Sequence, residues 1–183
     1  MPDRYHIQPY MKPINIALTV VIIVLSYLIF RSINKPIQFN KEKEHRYTQV
    51  IQRFKDIRTA QIAYKSVNGA YTGNFDTLIE FVKSGQFPLI KQIGNVEDST
   101  AVIVRDTILV SVRDSIFPPN FPIDSLPFVP FGEGAKFKMQ AGEIEKGKVK
   151  VKVFEAEDTA PFDKTEVLKV GSMTEPSNAG NWE

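Results

Sequence analysis

The chain has 183 residues, of which 43% are hydrophobic and 24% charged, and a formal charge of +2. It has no cysteine, which excludes disulfides, thiolate metal sites and cysteine nucleophiles. Eight of its Lys and Arg residues and only three of its acids fall within residues 35–65, so positive charge is concentrated in one segment.

The first predicted element is an apolar run over residues 14–30 without a charged side chain. With Arg31 snorkelling and Ile33 included, it reaches the roughly 20 residues that a helix needs to cross hydrocarbon. Ile14, Asn15, Leu18, Val21, Ile22, Leu25, Leu28 and Phe30 are the expected anchor residues, with membrane lipid as their partner. A cleaved signal peptide would place small residues after the run, but Tyr27, Leu28, Ile29 and Phe30 are bulky. A buried core helix would show polar residues at helical spacing, and only Asn15, Thr19 and Ser26 interrupt this one.

Asn34-Lys35-Pro36 predicts a kink or short break, because proline removes a backbone donor and biases Lys35 away from helical angles. Beyond it, Tyr47, Val50, Phe54, Ile57, Gln61 and Tyr64 recur three and four apart, and Ile51 widens the stripe. That spacing predicts an amphipathic stalk helix ending at Asn68-Gly69. A coiled coil with another copy is a weaker reading, because Gln61 sits in the seam.

Asp76 is expected to cap a short helix closing at Ser84-Gly85. The β-branched runs 101–104 and 107–112 predict a hairpin turning at Arg105-Asp106. Residues 136–140 and 148–154 alternate with one apolar and one cationic face, as in antiparallel strands with one solvated side. A last short strand is expected over 166–170. The organisation read from the chain is an N-terminal tail (1–13), a transmembrane helix (14–33), a stalk helix (37–68), an α+β domain (69–172) and a flexible tail (173–183).

Between the strand pairs, residues 117–131 alternate prolines with phenylalanines, which is incompatible with a central strand. Either the aromatics cover one end of the sheet, or Phe117, Phe121, Phe128 and Phe131 form a partner surface.

No catalytic constellation is legible. His6 and His45 lack partners at metal-ligand spacing, and Gly132-Glu-Gly-Ala-Lys136 misses the phosphate-loop spacing and reads as a hairpin connection. Glu155, Glu157, Asp158 and Asp163 read as solvated loop acids, with a calcium cluster as the alternative. The expectation is a non-enzymatic protein without cofactor or metal. The cations of the stalk helix suit solvent or anionic headgroups, and no nucleic-acid motif accompanies them.

An apolar helix, a proline at 36, an amphipathic continuation through Tyr64, the turn Asn68-Gly-Ala-Tyr71 and a small antiparallel sheet together resemble type IV pilins and type II secretion pseudopilins. Arg58-Thr-Ala-Gln-Ile-Ala-Tyr64 and Asp76-Thr-Leu78 are similar to the pseudopilin stretch where the long helix ends. The likeness covers residues 14 to 82. It implies an α+β fold with the long helix packed on a small antiparallel sheet, and a structural or assembly role among envelope proteins or copies of itself.

Two family features are missing. Pilins carry a glycine before the apolar helix for prepilin cleavage and a glutamate five residues later, whereas the first glycine here is Gly69 and the run has no acid. The chain is therefore expected to keep its anchor uncleaved. Its Lys-, Ile- and Phe-rich style also resembles bacterial envelope proteins of the Bacteroidota. The flanking charges Arg31, Lys35, Lys41, Lys43 and Arg46 favour a cytoplasmic domain, while the pilin likeness implies inner-membrane anchoring with a periplasmic domain, the placement preferred here. The alternative is a membrane-tethered binding or sensor module using residues 117–131.

Overall fold

The computed structural model describes residues 13–93 and 104–183. Contacts divide the chain into two compact units, Met1–Glu44 and His45–Glu183. The fold is mixed α+β: helix α1 (Pro13–Asn68) is followed by α2 (Phe75–Ser84), strands β1 (Gln86–Ile93) and β2 (Val104–Ser111), and a short α3 (Val112–Ile116). A 3-10 turn (Ile123–Ser125) and strands β3 (Lys138–Lys146), β4 (Val149–Glu157) and β5 (Lys169–Gly171) complete it.

The break expected at Pro36 does not form: α1 continues through Pro36 as one helix. Proline removes a single i→i−4 bond, and the turns on either side keep theirs. The end of α1 is where the sequence puts it. Gly69 takes a left-handed φ of 74°, and its N–H donates to the Lys65 carbonyl at 2.8 Å, a glycine cap that other residues adopt only with strain.

The cap of α2 lies two residues earlier than expected. Asn74 Oδ1 accepts from the Asp76 N–H at 2.7 Å, which leaves Asp76 in the first turn, where its charge suits the helix dipole.

The expected hairpin turning at Arg105-Asp106 is not formed. Both residues lie inside β2, opposite Gln92 and Lys91 of β1; residues 101–103 fall outside the described part. The pairing partner is the stretch containing Pro88, which reads poorly as a strand from sequence. A two-stranded sheet has only edges, so a missing proline N–H is tolerated there.

β3, β4 and β5 form a separate antiparallel sheet in that order. β3 and β4 run longer than the predicted strands and are joined by Gly147 and Lys148, both with positive φ, at 58° and 68°. That pair defines the primed turn whose twist matches a hairpin. Glu143 and Glu145 stand opposite Lys152 and Lys150, and Lys152 is ion-paired with Glu143. The face expected to be cationic is thus compensated across the strands. β5 starts three residues later than predicted. Gly171 (φ 76°) ends it, and a Cβ there would meet the Phe154 carbonyl at 2.2 Å.

One core joins α1 to α2, the proline-rich segment and the sheet. Phe54, Ile57, Leu78, Leu126, Phe154 and Val170 are each fully enclosed. Within residues 173–183, expected to be a flexible tail, Trp182 packs against this core. Trp182 stacks on Phe54 with ring centroids 5.6 Å apart, Asn181 exchanges backbone and side-chain bonds with Lys169, and Arg58 pairs with Glu183 at 2.7 Å. An indole on a buried phenylalanine removes more apolar surface from water than a solvated tail would.

Candidate functional site

In the Met1–Glu44 unit, every residue from 13 to 33 is exposed. Ile14, Leu18, Val21, Ile22, Leu25, Leu28 and Phe30 expose between 52% and 67% of their surface. This stretch is long and apolar enough to cross a membrane, and none of it is buried in the structure. The Thr19 hydroxyl donates to the Asn15 carbonyl at 2.8 Å, satisfying within the helix a group that hydrocarbon would leave unpaired.

In the His45–Glu183 unit, α1 changes character. Tyr47, Val50, Phe54, Ile57 and Gln61 are buried, with Ile51 and Tyr64 packed against the same core, so all seven stripe residues face inward. The sequence reading missed Ala60 and Ala63, whose small side chains are buried too. Gln61 is the polar member. Its Nε2 donates to the Thr72 carbonyl at 2.6 Å and to Met139 Sδ at 3.0 Å, and its Oε1 accepts from the Thr72 N–H at 3.2 Å. It joins α1, the loop after it and β3.

The four candidate partner-surface phenylalanines separate. Phe117 is buried and stacks on Phe121 at 4.2 Å with ring planes 6° apart, and Phe121 packs against the core. Phe117 is thus enclosed and Phe121 half-buried, so both rings serve the core. Phe128 and Phe131 do reach solvent, at 41% and 51% exposure. The connection 129–135 closes as a turn, with Val129 N–H donating to the Ala135 carbonyl at 2.8 Å. Phe131 sits at its tip with a φ of 61°, unusual for a bulky residue. The Arg46 guanidinium lies 5.4 Å from the Phe131 ring and 4.7 Å from that of Phe162, and His45 packs on Phe131 at 5.6 Å.

Arg46, Phe131, Phe162 and Asp158 also line a small cavity. Asp158 is buried, and burial pushes its carboxyl pKa up against the pull of the Ala160 N–H, which donates to Oδ1 at 2.8 Å. Glu155 and Glu157 lie in β4 and not in a loop. Glu155 lies 3.7 Å from Lys169 Nζ, and Asp163 accepts from the Thr165 N–H and hydroxyl. Among the described residues no three His, Asp or Glu side chains gather as metal ligands. His6 lies outside the described residues.

No family model, curated protein or solved structure matches this chain. A long apolar N-terminal helix with a small antiparallel sheet is compatible with pilin-like architecture.

Proposed function

We propose that the protein is a non-enzymatic, pilin-like structural or assembly component of a bacterial envelope complex, anchored in the inner membrane with its folded domain in the periplasm. The observation that supports this reading is the two-part use of α1. Residues 14–30 carry no charged side chain and are unburied, while Tyr47, Val50, Phe54, Ile57 and Gln61 lie in the core of the folded domain. Twelve Val, Ile, Leu and Phe side chains lie within residues 14–30, contributing roughly 4–7 kcal/mol toward insertion.

Photocrosslinkers at Asn15 and Phe131 in intact membranes test the assembly role. Adducts to envelope proteins or to a second copy are expected, and adducts to lipid alone refute it. Protease access to the domain in spheroplasts tests the placement, and protection sinks the periplasmic assignment.

Exposure of Phe128 and Phe131 favours a second reading, a tethered binding module that grips an apolar ligand by these two rings. Paired Phe128→Ser and Phe131→Ser substitutions would then remove crosslinks at this loop while leaving the fold intact. Unchanged crosslinking would discard it.

A further inference from the structure

Tyr27, Phe30, Arg31, Asn34, Lys35 and Gln38 line a groove on α1 within the Met1–Glu44 unit. Their spacings of three and four put them on one helix face. At 3.6 residues per turn, Pro36 lies on the opposite side. A helix-interior proline crowds the carbonyl four residues earlier, here Ser32, and opens that side of the helix. The groove face lies on the side away from that proline.

The groove is graded along its length. Tyr27 and Phe30, exposed at 60% and 67%, belong to the apolar run, and the cations and amides follow directly. Aromatic rings at the border of an apolar run, followed by Arg and Lys, match the order of acyl chain and headgroup in a lipid leaflet.

The charge pattern selects the occupant. From Pro13 through Lys41 the chain carries Arg31, Lys35 and Lys41 and no Asp or Glu. A second copy pairing by the same face would bring cation against cation, whereas a phosphate finds two cations one helical turn apart. We infer that this face is a binding site for an anionic phospholipid of the membrane that α1 spans. An acyl chain lies along Tyr27 and Phe30, Arg31 and Lys35 hold the phosphate, and the Asn34 and Gln38 amides donate to headgroup oxygens. The inference rests on the anchoring reading above.

The test uses the full chain, reconstituted in vesicles of phosphatidylcholine with phosphatidylglycerol, released into mild detergent and weighed with its retained lipid by native mass spectrometry. The wild type should retain phosphatidylglycerol in preference to phosphatidylcholine. R31Q/K35Q should lower that preference about 25-fold, at about fivefold per cation. A control, K148Q/K150Q, removes the same charge from the β3–β4 hairpin and should retain lipid as the wild type does.

Equal retention of both lipids by the wild type, equal loss in the control, or displacement by excess inorganic phosphate would overturn the site. Alkaline extraction of the same vesicles separates the two levels. Wild-type protein that stays in the pellet without lipid preference refutes the groove alone, and protein released into the supernatant refutes the anchor and the groove together.

Discussion

Gln61 offers the sharpest test of how α1 is fastened to the domain. It is fully buried, and its amide satisfies both the N–H and the carbonyl of Thr72. Gln61→Leu keeps most of the volume but leaves two backbone groups without these bonds. A buried unsatisfied group costs about 1–3 kcal/mol, and Thr72 is half-buried, which puts each near the lower limit. The expected loss is therefore about 2 kcal/mol. Gln61→Ala adds a cavity and should lose about 3–4 kcal/mol. For a unit of this size that corresponds to a drop of roughly 6–15 °C in Tm.

Gln61→Glu keeps the shape but aims a carboxylate at the Thr72 carbonyl. Burial raises that carboxyl's folded pKa, so its penalty grows as pH rises above the ordinary carboxylate range and fades below it. The full chain in detergent can be melted while following fluorescence of Trp182, the single tryptophan, which stacks on Phe54. A Gln61→Leu protein as stable as wild type, or a Gln61→Glu protein indifferent to pH, would refute the clamp.

Trp182→Ala should cost about 2–3 kcal/mol, below the usual aromatic truncation because Trp182 is only partly buried; hydrogen exchange in residues 173–183 unchanged from wild type would contradict the packed tail. Asp158→Asn should raise Tm at pH 7, since asparagine keeps the acceptor for the Ala160 N–H without the buried charge. The folded pKa of Asp158 is raised, so the wild type loses stability as pH climbs past the unfolded carboxylate value. The advantage of Asn should vanish below that value, and a gain independent of pH would show another origin. Ile22→Lys with Leu25→Lys should abolish membrane retention, because each replacement costs about 3–4 kcal/mol against a total drive of roughly 4–7 kcal/mol. A double variant that still resists alkaline extraction would refute spanning by this segment.

Elements governed by local periodicity were legible in the chain. The stripe from Tyr47 to Tyr64 has the helical period, and a glycine with left-handed φ follows its last turn, so both burial and terminus could be read directly. The β3–β4 pair was legible in type but not in length. Its outer charges looked cationic because Glu143 and Glu145 belong to the other strand and meet Lys152 and Lys150 only through register. β1 was hidden by Pro88, whose tolerance depends on the strand being an edge, a tertiary fact. The same applies to the C-terminal residues, where Trp182 finds Phe54 across more than 120 positions of sequence. The proline-phenylalanine segment was ambiguous in principle, since composition does not tell which rings turn inward. Phe117 and Phe128 differ in what surrounds them, not in local pattern.

The missing acid in the apolar run bears on how copies of this helix associate. Pilin-like assembly by a carboxylate inside the membrane is closed to a chain with no Asp or Glu from Pro13 through Lys41. Helix association in lipid then relies on close packing and on side-chain hydrogen bonds. Residues 14–30 contain no glycine and only one alanine, Ala17, so close backbone approach is poorly supported. The Thr19 hydroxyl is already engaged within the helix. On the assembly reading proposed above, Asn15 and Ser26 are the polar side chains left for contacts between such helices, whereas the folded domain offers the exposed rings of Phe128 and Phe131. Crosslinking from Phe131 should therefore outweigh crosslinking from Asn15 between protein neighbours, and the reverse ratio would place the assembly contacts in the membrane.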